Sequence, residues 1–515
     1  HAEWHTGNGT PVPKIPNPDD PNKYRVVTLM DVCSKTFSRI LCARSYKLLE
    51  KHGTKHQYGA TPRSGCQDGN FTLKTLLHLR RQHNLDTYVI FADLVKAYDT
   101  YNHELMIKVL ERYGAPPKFR ESIRRLYTDL KVIVKIGKEK AEIEQQVGVR
   151  QGDNVSSVIF LFLMSAFAET LEKEWASSNI SQARFKNITN LQEGQLTGHT
   201  KERMRNGINF VIHQILYIDD GAFFFETRED AENGLEMIHR VFALFGLEMH
   251  IGRGENLSKT EIMYVPKSSF YCASKLPQAL TPPRTQTTSP ADDTTDDNEE
   301  RITDRPIISI KKKTFSNMSQ KEREILYDMA QETNRMKVAN GFIDFVKHFK
   351  YLGSYISFDL TDDFDINHRI TTANKAMGAL KHVWNNPYAD LKAKQQIFIA
   401  IPGNLLLWGC ESWALRRSHI TKLEVFWHRS IRRILKIGIM QVKEERITNE
   451  RIRKIFHNIP TAENSLVTRQ LTYIGKIVRG PNQHPPKQML TAWNETPRPQ
   501  GGILTTNKKS IVKSL

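Results

Sequence analysis

Two aspartates side by side are the first place in this chain where residue type and spacing could do chemistry. Asp219 and Asp220 close the tetrapeptide YIDD, which lies between the apolar runs FVIHQIL and GAFFF. Two apolar runs separated by a short polar step read as a β-hairpin presenting both carboxylates at its turn. A hairpin with no other duty would place Asn-Gly or Asp-Gly there, because adjacent like charges repel. A divalent cation removes that penalty; a solvated Asp-Asp turn is the structural alternative. Asp93 is the second candidate. It follows the apolar strand YVIFA in FADLVKAYDT and so stands at the carboxyl end of that strand, where the alternative reading is an ordinary helix N-cap. A strand-end aspartate plus a distant aspartate pair is what a two-metal site requires. Two ions about 4 Å apart can activate a hydroxyl and stabilise a leaving pyrophosphate, and Mg2+ prefers the oxygen-rich shell that carboxylates and phosphates make. That chemistry is nucleotidyl transfer.

These residues need elements to hold them. From Tyr24 to Leu171, short β-rich runs alternate with helical stretches such as HELMIKVLERY, which implies a mixed α/β core. The first 24 residues, rich in Pro, Gly, Asn and Asp, read as an extended or looped entry. Residues 172–206 read as a polar insertion, and a helix is expected from about Arg228 to Phe245. Between Leu276 and Arg305 the run DDTTDDNEE and its neighbours cannot bury enough apolar surface to order themselves. Order is expected to resume with HFKYLGSYIS at residues 348–357. Beyond it, Ile366, Ile370, Ala373, Met377 and Leu380 recur at helical spacing.

The chain of 515 residues is 39% hydrophobic, which fits a globular protein of two or three domains. Its 74 basic and 56 acidic residues give a formal charge of +18, and a pI near 9.5 points to a polyanionic partner. Residues 411–515 hold 20 Lys and Arg against 7 Asp and Glu, so +13 of that charge falls in the last 105 positions, as a phosphate-binding tail would require. The five cysteines never pair as CxxC, which supports neither a disulfide framework nor a zinc knuckle. The most apolar run, around Val158 to Phe167, is far shorter than the roughly 20 residues of a membrane span, and no membrane partner is expected. The opening His1 and the lack of a basic-then-apolar leader suggest a fragment or processed product rather than a secreted protein.

FADLVKAYDT, GVRQGDNVS, YIDDGAFF, GLEMHIGRGENLSKTEIM and FKYLGSYI occur in a fixed order along the chain, preceded by QYGATPRSGCQDGNFTL. In that order they resemble the motifs of non-LTR (LINE-like) retrotransposon reverse transcriptases, over residues 12–358. The resemblance implies an α+β right-hand polymerase: fingers, palm and thumb, an antiparallel palm sheet and a mostly helical basic C-terminal region. Its boundaries would be fingers at 1–87, palm at 88–266, a largely disordered insertion at 267–340, a primer-grip hairpin at 341–358, a thumb-like helical region at 359–440 and a basic region at 441–515.

The resemblance also assigns roles. Asp93, Asp219 and Asp220 would be metal ligands for two Mg2+ ions, with Mn2+ a substitute. Tyr98 matches the steric gate that selects deoxynucleotides. Arg150, Gln151 and Gly152 match the loop under the incoming nucleotide, where Gly152 would permit close backbone approach. Lys259, in SKTE, matches the general acid for the departing pyrophosphate. Arg25, Lys35 and Arg63 are candidate triphosphate contacts, and Tyr351, Leu352 and Gly353 would form the primer grip. Trp408, Trp413 and Trp427 could stack on bases or fill a core. The implied partners are an RNA template, a DNA primer and dNTP, in the nucleus or cytoplasm. Two stretches depart from the usual pattern, QGDNVSS for QGDPLSP and YIDD for YADD. They leave open an inactive nucleic-acid-binding remnant, and an RNA-dependent RNA polymerase is the further alternative.

Overall fold

The structure is a computed structural model that describes residues 2–181, 183–187, 207–271, 318–330, 334–496, 498 and 508–509. Its strands in chain order are β1 (Thr6–Pro13), β2 (Tyr24–Leu29), β3 (Thr87–Ala92), β4 (Lys131–Ile136), β5 (Glu139–Glu144), β6 (Arg184–Asn187), β7 (Ile208–Val211), β8 (Gln214–Tyr217), β9 (Asp220–Phe225), β10 (Glu261–Val265), β11 (Arg335–Val338), β12 (Gly341–Phe345), β13 (His348–Tyr351) and β14 (Ser354–Ser357). The central sheet has the order β11-β12-β10-β3-β9-β8. It is antiparallel except where β10 runs parallel to β12, so the expected purely antiparallel sheet is mixed at one side. A parallel pair needs a long crossover, and the stretch between Val265 and Gly341 supplies one.

Residue alternation in β3 and β9 explains why that sheet sits in the middle of the molecule. Ile90, Ala92, Phe223 and Phe225 enter one core, while Val89, Phe91, Ala222 and Phe224 enter the other. Side chains on a strand point alternately to opposite faces, so a run with no polar member must be covered on both. The helices Asn154–Ser177 and Arg228–Leu244 cover the first face, with Phe167 stacked on Phe242 at 4.0 Å between ring centres. The helix Cys66–Gln82 and the β13–β14 hairpin cover the second, where Phe91 stacks on Phe349 at 4.0 Å. By length and composition Asn154–Ser177 is apolar enough to cross a membrane, and most of it is buried inside the protein. A helix apolar on all sides is what a packed core requires.

Four expectations are corrected. Regular structure begins before Tyr24: residues 6–13 are extended, one of the two readings of the entry, but packed as β1 inside the sheet β2-β1-β4-β5, where Gly9 is so close to Val26, Val132 and Val134 that a Cβ would meet all three within 3.0 Å. Its glycines, a sign of loops in sequence, are what lets neighbouring strands close on it. The insertion expected from residue 172 begins later, since the Asn154–Ser177 helix carries Trp175 into the core; residues 188–206 lie outside the described residues. Folded structure is present from residue 318, well before 348, with the helix Gln320–Ala330 burying Leu326 and Tyr327, while the acidic run at 292–300 lies outside the described residues. Within 341–358, β12 belongs to the central sheet and only β13–β14 forms a separate hairpin.

The basic C-terminal stretch is not a free tail through residue 496. A third core gathers around Trp413, Trp427 and Phe398. The helix Ala462–Arg479 then returns to the helix Cys66–Gln82, where Phe71 meets Tyr473 edge-on and Asp68 receives Tyr473 and Lys476. A buried ion pair ties the same region: Lys74 Nζ lies 2.7 Å from Asp362 Oδ1, with both side chains at most 5% exposed. The second oxygen of Asp362 accepts the Ala414 N–H. Lys74→Ala leaves that carboxylate buried and unpaired, so it is expected to cost about 3–5 kcal/mol in chemical denaturation. Replacing Lys74 and Asp362 together by apolar residues should cost much less; an equal loss would show that packing, not the stranded charge, is responsible.

Candidate active site

The turn of the β8–β9 hairpin contains only Ile218 and Asp219, because Tyr217 pairs with Asp220 across it. Ile218 has φ of +59°, the left-handed region that glycine normally fills at the first position of such a turn. Next to β9 runs β3, with Ala92 opposite Gly221. Continuing that register by one residue sets Asp93 across from Asp220. Asp93 is fixed through its backbone: its N–H donates to Thr260 Oγ1 at 3.1 Å, and its carbonyl accepts the His250 N–H at 2.8 Å. Neither Thr260 nor His250 was singled out from the sequence, although a buried threonine hydroxyl in SKTE is the kind of signal that could have found the first.

The three carboxyls share one electrostatic neighbourhood. Burial pushes Asp219 up, Asp93 adds to the push, and Arg25 opposes it. Asp220 is pushed up to about 7, first by loss of solvent around its charge, then by Asp219 and Asp93. Its side chain keeps an open face to solvent at the turn, which screens part of that push. Asp93 is also raised by burial, with Lys259 and His250 acting the other way. An all-oxygen donor set short of positive charge suits a hard divalent cation, and Asp93, Asp219 and Asp220 are the residues that could hold one. Among the described residues, no three His, Cys, Asp or Glu side chains converge tightly enough to form a metal shell by themselves. Like-charged carboxylates with no cation between them repel, and Mg2+ sites of this kind draw several ligands from phosphate and water.

Several other candidates gather at the same place. Tyr98 is half-buried, its ring stacked on Phe160 at 4.9 Å. Burial pushes its phenol up to about 12, a bond to Ser157 and the charge of Arg25 lower it, and Asp219 raises it. Arg25, exposed on β2, thus reaches the field of both Asp219 and Tyr98. Lys259 is exposed beside Asp93, and its backbone N–H donates to His250 Nδ1 at 3.2 Å. Gln151 is the exception: its Nε2 donates to Asp99 Oδ1 at 3.0 Å, and no described contact joins it to the three carboxyls. Tyr351 lies within the field of Asp220, and its hydroxyl donates to the Ile215 carbonyl at 3.0 Å.

Other assignments change. Arg150 is 3% exposed, and its guanidinium donates inward to the carbonyls of Trp4 and Leu126. It braces the loop and has no free face for a nucleotide. Gly152 does permit a close approach, but to protein: a Cβ there would lie 2.5 Å from the Thr28 carbonyl oxygen, at φ of +116°. Tyr351 is buried, so it seats the β13–β14 hairpin and does not itself meet a primer; Leu352 and Gly353 form the turn with φ of +46° and +79°. Lys35 is half-buried on the helix Val32–His52, Arg63 is exposed, and no described contact joins either to the carboxylates. Trp413 and Trp427 are core residues bonded to Asp365 and the Pro460 carbonyl. Trp408 is 46% exposed, with its Nε1 against the Gly353 turn.

Residues 15–356, more than half of the chain, match the family described as reverse transcriptase (RNA-dependent DNA polymerase), and the chain belongs to that family. Curated proteins similar to it include polyproteins of retrotransposable elements. It is 26% identical over 241 residues to a Retrovirus-related Pol polyprotein from type-1 retrotransposable element R2 of Nasonia vitripennis, covering 46% of this chain and 20% of that protein. It is also 26% identical over 164 residues to the corresponding type-2 element R2DM protein of Drosophila melanogaster, covering 32% of this chain and 15% of the relative. The matched regions thus span a fifth or less of these relatives. Among solved structures, telomerase from Candida tropicalis with a TWJ fragment of telomeric RNA shows a partial backbone likeness, with TM-score 0.38 and 10% identity over 95% of this chain and 64% of the other.

Proposed function

We propose that this chain is the polymerase core of a non-LTR retrotransposon protein, an RNA-directed DNA polymerase that extends a DNA primer 3′-hydroxyl with dNTP on an RNA template. The observation that carries the reading is the meeting of Asp93 with the Asp219–Asp220 pair at one end of the central sheet, in a chain of this family. Asp93, Asp219 and Asp220 would hold two Mg2+ ions. When bound, these ions supply Lewis acidity at the attacking and leaving oxygens.

The remaining work falls to the chain's own residues. Tyr98 stands as a wall beside Asp219 and excludes a ribose 2′-hydroxyl. Lys259 places a cation near Asp93 from which a proton can pass to the departing pyrophosphate. Arg25 reaches the same pocket from β2 and pairs with phosphate. The β13–β14 hairpin holds the primer end. In this reading residues 1–87 act as fingers, the central sheet and its helices as palm, and the helical region after Ser357 as thumb, with its basic side chains along the duplex backbone. The RNA template and DNA primer would be met in the nucleus or cytoplasm. Primer extension on an RNA template with dNTP and Mg2+ tests the reading, and equal extension by the native protein and Asp219→Asn would overturn it.

A pH dependence follows from Asp220. Its carboxyl, pushed up to about 7, holds a proton through the range in which an unfolded aspartate has lost it. The metal-free fold therefore binds more protons than the unfolded chain between about pH 4 and 7, and loses stability as pH rises through that window. Metal binding needs the carboxylate, so the Mg2+ concentration for half-maximal activity should rise as pH falls below 7. Melting curves at pH 6 and 8 check the first statement: without Mg2+ the native protein should melt lower at pH 8, and Asp220→Asn should shrink the difference. An unchanged difference in Asp220→Asn would assign it to other groups.

A further inference from the structure

Ile218 is a β-branched residue held at φ of +59° in the turn that carries Asp219, a conformation that such side chains rarely adopt. Something must hold it there, and Gln57 is placed to do so. Its carboxamide faces the backbone of Ile218 on both sides: Oε1 accepts the Ile218 N–H at 2.8 Å, and Nε2 donates to the Ile218 carbonyl at 3.3 Å. The same Oε1 accepts the Gly59 N–H at 2.9 Å. Gln57 is 4% exposed, so water cannot easily replace it.

The segment around Gln57 is fixed before the side chain reaches across. Leu216 N–H donates to the His56 carbonyl at 2.9 Å and Tyr58 N–H to the Leu216 carbonyl at 2.8 Å, making a short parallel bridge beside β8. Gly59 completes the fit, since a Cβ there would lie 2.6 Å from the Ile218 nitrogen. The main-chain bonds of this bridge end at Leu216, and the Gln57 side chain continues from there to Ile218 in the turn.

We propose that Gln57 is the positioning residue of the catalytic turn: its carboxamide holds Ile218 in the left-handed conformation and thereby sets where Asp219 points. The inference rests on the polymerase reading, because it concerns the geometry of a metal-binding carboxylate. Loss of the clamp lets the turn relax toward a conformation that isoleucine prefers, and Asp219 moves with it. Small displacements of this kind can cost on the order of 10²-fold in rate. Gly at position 218 adopts the same φ without help, so the need for Gln57 should vanish with it.

The experiment is primer extension on an RNA template, titrating Mg2+ and dNTP separately, with melting temperature measured in parallel. Gln57→Leu is expected to lower kcat by roughly 10- to 100-fold and raise the Mg2+ requirement, with the dNTP KM little changed. In the Ile218→Gly background, adding Gln57→Leu should cost no more than about threefold, the coupling that a shared turn produces. Should Gln57→Leu not fold, Gln57→Asn serves: it keeps the amide one methylene short of spanning both groups and should show the same coupling to Ile218→Gly. An equal penalty in both backgrounds, or native kinetics in the Gln57 variants, would overturn the proposal. Asp219→Asn separates the two levels. If it extends primers as the native protein does, the polymerase reading falls; if it is inactive while the Gln57 variants behave as native, only the clamp falls.

Discussion

Asp219→Asn is expected to slow single-turnover primer extension by on the order of 10³-fold or more while leaving the melting temperature unchanged or slightly raised. The rate follows from charge: metal-centred stabilisation of a phosphoryl transition state is worth several kcal/mol, and each 1.36 kcal/mol is a factor of ten. Asn keeps the size of the side chain and removes the anion. The stability has the opposite sign from an ordinary buried-polar substitution, because burial and Asp93 already disfavour the Asp219 carboxylate in the metal-free fold. Removing the charge relieves that repulsion. Mg2+ should raise the melting temperature of the native protein at pH 8 and do so less in the variant, since a bound ion stabilises only the state that holds it. Extension within a few-fold of native would remove Asp219 from the chemistry.

Tyr98→Ala is expected to raise the use of ribonucleotides relative to deoxynucleotides by roughly 10- to 200-fold, the range over which filling or emptying a small apolar space discriminates. The ring is well placed to act as a wall: Phe160 supports one face at an interplanar angle of 14°, and the field of Asp219 reaches the phenol. Tyr98→Phe keeps the ring and should discriminate as the native protein does. Losing the stacked pair also costs about 0.5–1.5 kcal/mol beyond the buried area, so the selectivity ratio is the proper readout and not the rate. It is measured as kcat/KM for rNTP over dNTP on one template. A native protein that already accepts both sugars equally would end the gate assignment.

Much of this site was legible in the sequence because its signals are local. The unbroken apolar character of YVIFA and GAFFF requires strands covered on both faces, and two adjacent aspartates at a hairpin end are repulsive without a cation. The helices Arg228–Leu244 and Asp363–Ala379 follow from periodic apolar positions in the same way. Local rules misled where a residue type has two uses. Gly7, Gly9 and Pro11 in β1 mimic a loop, yet the glycines admit close neighbours and Pro11 falls where β1 pairs with β2 alone.

By itself, then, the sequence determined the strands and helices whose apolar pattern is unambiguous and which carboxylates stand at their ends, since those depend on neighbours a few positions away. Only the tertiary structure decided where the long side chains go. Arg150 turned inward to backbone carbonyls, Arg25 came to Asp219, the helix Ala462–Arg479 returned to Asp68, and Gln57 reached Ile218 from 161 positions upstream. A guanidinium or carboxamide can point several ways from one backbone position. Its choice depends on which unpaired polar groups the fold brings within reach, a fact that no local pattern in the chain encodes.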